Sequence, residues 1–248
     1  MRIYKEKRIL FILKGRCFRV RVVLKIGGSL VQDRQGNIRV ERLAKYAEVV
    51  LKLRRENTEV VSIIVGGGKI ARKFIDAARK LGAAESLCDE IGIRAAQLNA
   101  QMMIGALDRE AYPTIPRTLE EVAEAAATGK VVMVGGLQPG QSTNAVAALV
   151  AERVKADMLI NATDVDGVYT SDPKKDPSAE RLVEATVREI LEIVNEKGFS
   201  AGKYELFDPI ALKILERSKI PTWIVNGEDP KNILRVIAGD NVGTRIVY

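Results

Sequence analysis

The chain contains no histidine among its 248 residues, and this absence removes several classes of catalytic site. A histidine general base, a zinc site with histidine ligands and a serine–histidine–aspartate triad are all excluded. The two cysteines, Cys17 and Cys88, are too few for a disulfide framework and match no metal-ligand spacing. Any chemistry therefore depends on lysine, arginine, carboxylates, hydroxyls, backbone amides and a bound divalent ion.

Long apolar runs are also absent. No stretch approaches the roughly 18 residues that span a bilayer. The run nearest the start, Ile9–Leu13, is shorter than the about 7–15 residues of a secretory apolar region. We therefore expect a cytoplasmic protein with no membrane partner. Its length permits one large α/β domain or two small ones, with a sizeable core.

The positive charge is concentrated in the first segment. The net charge is +7, and residues 1–19 contain seven basic side chains and one acidic one, which leaves +1 for the other 229 residues. A near-neutral body argues against a nucleic-acid partner. Residues 1–19 are interpreted as a basic extension, either from a start codon assigned too far upstream or as an anchor to membrane or RNA.

From Val20 onward, apolar strand-like runs alternate with amphipathic stretches, which is typical of a parallel α/β sheet. The predicted strands are Val20–Lys25, Val60–Val65, Val131–Val134, Met158–Ala162, Thr222–Val225 and Thr244–Val247. The predicted helices are Val40–Arg55, Ile70–Leu81, Asp89–Arg109, Thr118–Ala127, Ala145–Val154, Thr186–Lys197, Pro209–Arg217 and Ile233–Ile237. The longest helix carries its apolar residues at Ile91, Ala95, Leu98, Met102 and Leu107.

Three glycine-rich turns lie between a strand and a helix. They are Gly27–Ser29, Gly66–Lys69 and Gly135–Asn144. A turn of this kind presents backbone N–H groups and the positive end of a helix dipole to an anion. Three such turns in one chain predict a phosphorylated ligand.

Basic side chains accompany two of these turns. Lys25 precedes the first turn and is interpreted as a partner of phosphate oxygens, although a solvent-exposed lysine at a strand end has the same pattern. Lys69, Arg72 and Lys73 begin the helix after the second turn, where each cation opposes the helix dipole at a cost of about 0.3–1 kcal/mol. A bound phosphate would reverse that penalty, whereas an ordinary turn with solvated bases is the alternative.

Four carboxylates are candidates for the site, each with a simpler alternative. Asp89 begins a predicted helix, so it is either an N-cap or a partner of sugar hydroxyls. Asp164 and Asp166, with Tyr169, follow a predicted strand, where open α/β sheets bind ligands, but a polar turn has the same composition. Asp208 precedes a predicted helix and is an N-cap unless the fold brings it to Lys25.

Together these motifs resemble the amino-acid kinase superfamily and, within it, the uridylate (UMP) kinases of the archaeal type. The resemblance covers residues 20–248. The segments that carry it are Lys25–Ser29, Val65–Lys69 with Arg72, Asp89–Gly92, Gly135–Thr143, Thr163–Tyr169 followed by Asp172, and Asp208–Pro209.

The resemblance implies a three-layer αβα sandwich with a central, mostly parallel eight-stranded sheet, usually assembled as a homohexamer. It implies one kinase domain over residues 20–248, with a lobe for the nucleoside monophosphate and a lobe for ATP. The implied activity is transfer of the γ-phosphoryl group of ATP to UMP, giving UDP and ADP, in pyrimidine nucleotide biosynthesis. Mg²⁺ is the implied cofactor, and its ligands stay unassigned.

The resemblance also implies roles for individual residues. The residues expected to bind UMP are Gly67, Asp89, Leu137, Gln138, Pro139, Gly140, Gln141, Ser142 and Thr143. The residues expected to bind ATP are Gly28, Ser29, Gly68, Arg72, Thr163, Tyr169 and Asp172. Lys25 would stabilise the transferring phosphoryl group, Asp208 would position that lysine, and Asp166 is the third catalytic candidate. Asp164 stands where relatives often have Asn or Lys.

Phosphoryl transfer to UMP is compatible with a chain that lacks histidine. The accepting phosphate is largely dianionic near neutral pH, so the site has to position two polyanions and neutralise charge rather than remove a proton. Among superfamily alternatives, isopentenyl phosphate kinases use a histidine, and acetylglutamate or aspartate kinases leave Pro139–Thr143 unexplained. A non-catalytic nucleotide sensor or RNA-binding regulator is the alternative of another class.

Overall fold

A computed structural model of the chain describes residues 19–56, 58–171, 176, 178–196 and 208–248, with only the backbone of 194–196. Two subjects of the sequence analysis therefore lie outside the described residues. They are residues 1–18 of the basic extension and Asp172, an expected ATP ligand.

A mostly parallel sheet forms the centre of the molecule. Its strands in chain order are β1 (Val20–Ile26), β2 (Thr58–Val65), β3 (Val132–Val134), β4 (Met158–Thr163), β5 (Glu184–Thr186), β6 (Thr222–Asn226) and β7 (Thr244–Val247). They are ordered β3-β2-β1-β4-β6-β7-β5 across the sheet. Every neighbouring pair is parallel except β6 and β7.

Helices connect these strands and cover both faces of the sheet. They are α1 (Gly28–Val31), α2 (Val40–Arg55), α3 (Gly68–Lys80), α4 (Glu85–Leu107), α5 (Leu119–Ala127), α6 (Thr143–Arg153), α7 (Val187–Glu196), α8 (Pro209–Ser218) and α9 (Lys231–Ala238). A short 3₁₀ turn, Asp108–Glu110, follows α4. Within the described residues, no helix is both long and apolar enough to cross a membrane.

Side-chain alternation along β1 divides the core into two layers. Leu24 packs in a core with α2, α4 and α9, whereas Val23 packs in a core with α5, α6, α7 and α8. Side chains of successive strand residues project to opposite faces of the sheet. Lys25 therefore projects to the same face as Val23, the face covered by α5, α6, α7 and α8. The result is a three-layer αβα sandwich in which Lys25 lies on the α6 side of the sheet.

The predicted fold class is confirmed, with differences in detail. The described residues contain seven strands rather than the expected eight, because contacts such as Ala111 with Val131 and Tyr169 with Arg181 are isolated bridges too short to form a strand. The sequence analysis missed β5 and α1, which have only three and four residues. Elements this short carry little periodicity.

Candidate active site

Parallel pairing gathers the predicted site at one edge of the sheet. The three glycine-rich turns follow β1, β2 and β3, which are adjacent strands, and the Asp164–Asp166 segment follows β4, the next strand on the other side. Since the carboxyl ends of parallel strands share one edge, all four segments converge there, where open α/β sheets bind ligands.

The first two turns are in direct backbone contact. A Cβ atom on Gly28 would lie 2.2 Å from the backbone nitrogen of Gly68, and one on Gly66 would lie 2.7 Å from the nitrogen of Gly28. Gly68 also has a φ of +70°, a conformation that favours glycine. These positions therefore require glycine because any side chain would push the two turns apart.

The third turn lies along α4. Gly135 packs against Gln97, where an added Cβ would come within 2.6 Å of the backbone nitrogen. Further along the turn, the N–H of Gly140 donates to Oδ2 of Asp89 at 2.8 Å. The two α4 positions are about two helical turns apart. The segment thus follows α4 from its middle toward its start.

The interpretation of Asp89 as the start of a helix is wrong. The helix α4 begins at Glu85, and Ala84 is its N-cap residue, so Asp89 lies in the second turn. The apolar pattern began too late to locate this boundary because Glu85–Cys88 contains little periodicity. The carboxylate of Asp89 instead holds the glycine-rich turn through Gly140.

Lys25 is buried, with 7% of its surface exposed, so the solvent-exposed alternative is wrong. Its partner in the β1–β4 register is Asn161, which is 1% exposed. Asn161 Nδ2 donates to Oδ1 of Asn144 at 3.4 Å, in the first turn of α6. Lys25, Asn161 and Asn144 are therefore three polar residues close together on the α6 side of the sheet. Because lysines are rarely buried, this position at the edge of the sheet beside a glycine-rich turn favours a functional role.

Asp208 caps α8 and also contacts the third turn. Its Oδ1 accepts from the N–H of Ala211 at 3.0 Å, so the N-cap interpretation is confirmed. Its Oδ2 accepts from Oγ of Ser142, which is itself the N-cap of α6. Ser142 Oγ accepts in turn from the N–H of Asn144 at 3.0 Å. Ser142 and Asn144 thus connect Asp208 to the strand position beside Lys25.

The carboxylates after β4 are exposed and share hydrogen bonds with their neighbours. Asp166 Oδ1 accepts from Asn226 Nδ2 at 2.8 Å, and Asp166 Oδ2 accepts from the Tyr169 hydroxyl at 3.5 Å. Burial, followed by the negative charge of Asp166, raises the pKa of Tyr169, so its hydroxyl stays protonated and able to donate. Thr163 Oγ1 donates to Asp164 Oδ1 at 3.2 Å.

The basic residues of the second turn lie at the start of α3. Gly67 is the N-cap of this helix, and Lys69 and Arg72 are exposed beside it. Lys73 is directed away from the turn, since its Nζ donates to the carbonyl oxygen of Gln35 at 2.7 Å. Two cations therefore remain at the positive end of a helix dipole, where a bound anion would offset their repulsion.

A family model described as the amino acid kinase family matches residues 20–226, which is most of the chain. The chain belongs to the amino acid kinase family. The matched residues include the three glycine-rich turns, Lys25 and the Asp164–Asp166 segment.

This amino acid kinase is similar to curated archaeal uridylate kinases over nearly their full length. It is 45% identical to the uridylate kinase of Hyperthermus butylicus over 225 residues, covering 91% of this chain and 97% of that protein. It is 44% identical to the uridylate kinase of Methanothermobacter thermautotrophicus over 228 residues, covering 92% and 99%. The crystal structure of uridylate kinase from Archaeoglobus fulgidus superposes with a TM-score of 0.80 at 41% identity, covering 91% and 99%.

The sequence analysis of this kinase missed a set of amide side chains at the same edge. They are Gln32, Asn99, Asn161 and Asn226, which join Asn144 of the expected third turn. A usable signal existed for one of them, because Asn161 interrupts an apolar strand. The others have no local signal, since only the tertiary structure brings them to the turns.

Proposed function

We propose that the chain transfers the γ-phosphoryl group of ATP to UMP, giving UDP and ADP, in pyrimidine nucleotide biosynthesis. The observation that carries this proposal is the convergence of three glycine-rich turns beside the buried Lys25. The similarity to uridylate kinases supports UMP as the acceptor.

The acceptor is proposed to bind along α4 and at the start of α6. The residues are Gly67, Asp89 and the segment Leu137–Thr143. The Asp89–Gly140 hydrogen bond supports this assignment because it fixes the segment beside the helix. The start of α6 offers the positive end of its helix dipole and the hydroxyl of Thr143 to the phosphate of UMP, while Ser142 Oγ caps the N–H groups of Asn144 and Ala145.

ATP is proposed to bind on the other side of Lys25. The residues are Gly28, Ser29, Gly68, Arg72, Thr163, Tyr169 and Asp172. Backbone contact between the first two turns supports phosphate binding there, because a polyanion needs close approach to several N–H groups. The exposed guanidinium of Arg72 adds charge at the same helix N-terminus.

Catalysis is proposed to depend on position and charge. Lys25, in a low-dielectric setting on the α6 face, stabilises negative charge on the transferring phosphoryl group. Asp208 holds the geometry of this region through Ser142 and Asn144. Asp166 keeps its carboxylate at the ATP side through Asn226.

Mg²⁺ is proposed to accompany ATP. The described residues include no group of three or more carboxylate, cysteine or histidine side chains that would enclose a metal. This fits a Mg²⁺ ion held mainly by phosphate oxygens and water with one or two carboxylates. The ion would offset charge on the phosphate groups, and we assign it no protein ligand.

The organisation of the whole protein is part of the proposal. Residues 20–248 form one kinase domain with an acceptor lobe and a donor lobe, supported by a family match that begins at residue 20. The working assembly is a homohexamer in the cytoplasm. Exposed apolar side chains on α3 and α4, including Phe74 and Leu98, support association of several copies.

The deciding experiment is an ADP-release assay with ATP and Mg²⁺ across a panel of acceptors. UMP, CMP and dUMP test the nucleotide class, and acetylglutamate and aspartate test the other kinase classes. Turnover of UMP is the expected result. Turnover of acetylglutamate without UMP would overturn the proposal, and tight UMP binding without UDP formation would identify a sensor. Chelation of Mg²⁺ is expected to abolish turnover.

A further inference from the structure

Two buried amide side chains meet behind the second glycine-rich turn. Gln32, at the C-cap of α1, is 2% exposed, and Asn99, in the middle of α4, is 3% exposed. Gln32 Nε2 donates to Oδ1 of Asn99 at 3.1 Å. A paired buried amide couple of this kind needs an explanation because its polar atoms were removed from water.

The remaining polar atoms of the pair bind the backbone of the turn. Asn99 Nδ2 donates to the carbonyl oxygens of Gly66 at 2.8 Å and Gly67 at 3.1 Å. Gln32 Oε1 accepts from the N–H of Ile70 at 2.9 Å, which satisfies one of the otherwise unpaired donors at the start of α3. The pair thus joins α1, α4 and the second turn.

These contacts determine where the N–H groups of the turn are directed. In a trans peptide the C=O and the following N–H are directed oppositely, and the described residues contain no cis peptide. With the carbonyls of Gly66 and Gly67 held by Asn99, the N–H groups of Gly67 and Gly68 are directed away from it. Within the described part of the chain, neither N–H donates to a protein acceptor.

We infer that Gln32 and Asn99 are positioning residues for phosphoryl transfer. The pair holds the carbonyls of Gly66 and Gly67 on the inner side of the turn, so that the N–H groups of Gly67 and Gly68 face the phosphates of the two nucleotides. This inference rests on the proposed function and deepens it. It adds two residues that touch neither substrate and act through the backbone.

The test compares Asn99→Leu and Gln32→Glu with the matched control Thr222→Val. Asn99→Leu removes both donations to the turn at similar volume. Thr222→Val also deletes one buried side-chain hydrogen bond, to the carbonyl oxygen of Ile220 at 2.8 Å, but at the opposite end of β6 from the site. We expect all three variants to lower the melting temperature, and only the first two to lower kcat, by about 10²-fold.

The pH dependence of kcat in Gln32→Glu distinguishes a positioning role from a purely structural one. A carboxylate at residue 32 keeps the acceptor for Ile70 but cannot donate to Asn99, whereas the protonated carboxyl can. Burial raises the pKa of such a group. We therefore expect the kcat deficit of this variant, relative to the unaltered chain at each pH, to shrink as the pH is lowered. This variant also serves if Asn99→Leu does not fold.

The outcomes separate this inference from the proposed function. If the unaltered chain makes UDP but Asn99→Leu and Gln32→Glu lose no more kcat than Thr222→Val, the positioning role is wrong and the function stands. If the unaltered chain makes no UDP, the function fails, and ATP affinity measured by calorimetry replaces kcat. An ATP affinity about tenfold lower in Asn99→Leu and Gln32→Glu, but not in Thr222→Val, then supports the positioning role. Equal ATP affinity in all three variants overturns it.

Discussion

At the residue scale, Lys25 is a buried ammonium group at the edge of the sheet where the proposed site lies. An ammonium group loses hydration on burial, and this loss is only offset by polar or charged partners. Lys25 lies on the α6 face of the sheet, beside Asn161 and close to the turn that follows β1. This position at the end of β1, beside a glycine-rich turn, is where the proposed function needs a positive group to meet an anion.

We expect Lys25→Ala to lower kcat by about 10²–10³-fold, because it removes a preorganised positive group from the transferring phosphoryl. UMP affinity should stay nearly unchanged, since the acceptor segment lies on α4 and α6. Steady-state kinetics and calorimetry with UMP measure the two effects. Lys45→Ala, at an exposed position on α2, is the matched control. Near-normal turnover of the Lys25 variant would remove its assigned role.

Asp208 combines a structural task with a proposed catalytic one, and two substitutions separate them. Asp208→Ala removes the cap of α8 and should lower the free energy of unfolding by about 1 kcal/mol. Asp208→Asn retains a capping side chain, so its stability should stay close to that of the parent, while kcat falls because the negative charge is lost. Urea denaturation and kinetics measure these quantities. Full activity in Asp208→Asn would show that the residue caps α8 and has no catalytic role.

At the element scale, the site is organised by helix α4 as much as by the strand ends. Its residue Asp89 binds the third turn through Gly140, and Asn99 binds the second turn through two carbonyls. The first turn is then held by backbone contact between Gly28 and Gly68. A single rigid helix therefore sets the spacing of the proposed acceptor and donor segments.

Glycine substitutions should have opposite effects at two positions. Gly28→Ala introduces a Cβ atom 2.2 Å from the nitrogen of Gly68, and we expect overpacking to lower the free energy of unfolding by about 1–3 kcal/mol, with weaker ATP binding. Gly105→Ala lies in α4 with nothing within 4 Å of the new atom and should raise stability by about 0.4–1 kcal/mol. Chemical denaturation checks both signs. Unchanged ATP affinity in Gly28→Ala would contradict the close packing of the turns.

At the scale of the whole molecule, the outer surface of α3 and α4 carries several exposed large apolar side chains. Large exposed side chains there are Phe74, Leu81, Leu87 and Leu98. Leu98 is 66% exposed, whereas the neighbouring Asn99 is buried. Exposed apolar patches mark interaction sites, and this face is the contact between copies of the chain in the proposed assembly.

We expect Leu98→Glu to lower the molar mass in solution, because a carboxylate in an apolar contact is costly to desolvate. Light scattering coupled to size-exclusion chromatography measures the mass directly. Val183→Glu, an exposed apolar position beside β5 at the sheet edge, is the control and should leave the mass unchanged. A homohexamer mass retained by Leu98→Glu would exclude this face from the assembly contact.

Prediction from sequence worked best where a residue's environment depends on its neighbours along the chain. The helix Val40–Arg55 and the strand Thr244–Val247 agree at both ends with the structure, since hydrophobic periodicity and β-branched runs are local properties. The predicted start of α4 was wrong, because packing against α3 and the turns determines where this helix begins. The roles of the site residues stay predictions.

The sequence alone determined three features, because each is a property of composition or of short-range order. They are the absence of histidine, the alternation of strands with helices and the glycine-rich turns at strand ends. Only the tertiary structure decided that Lys25 is buried, that Asp208 reaches Ser142, and that Gln32 and Asn99 meet behind a turn. Those pairings join residues far apart in sequence, and they depend on strand order and helix packing, which local preferences do not encode.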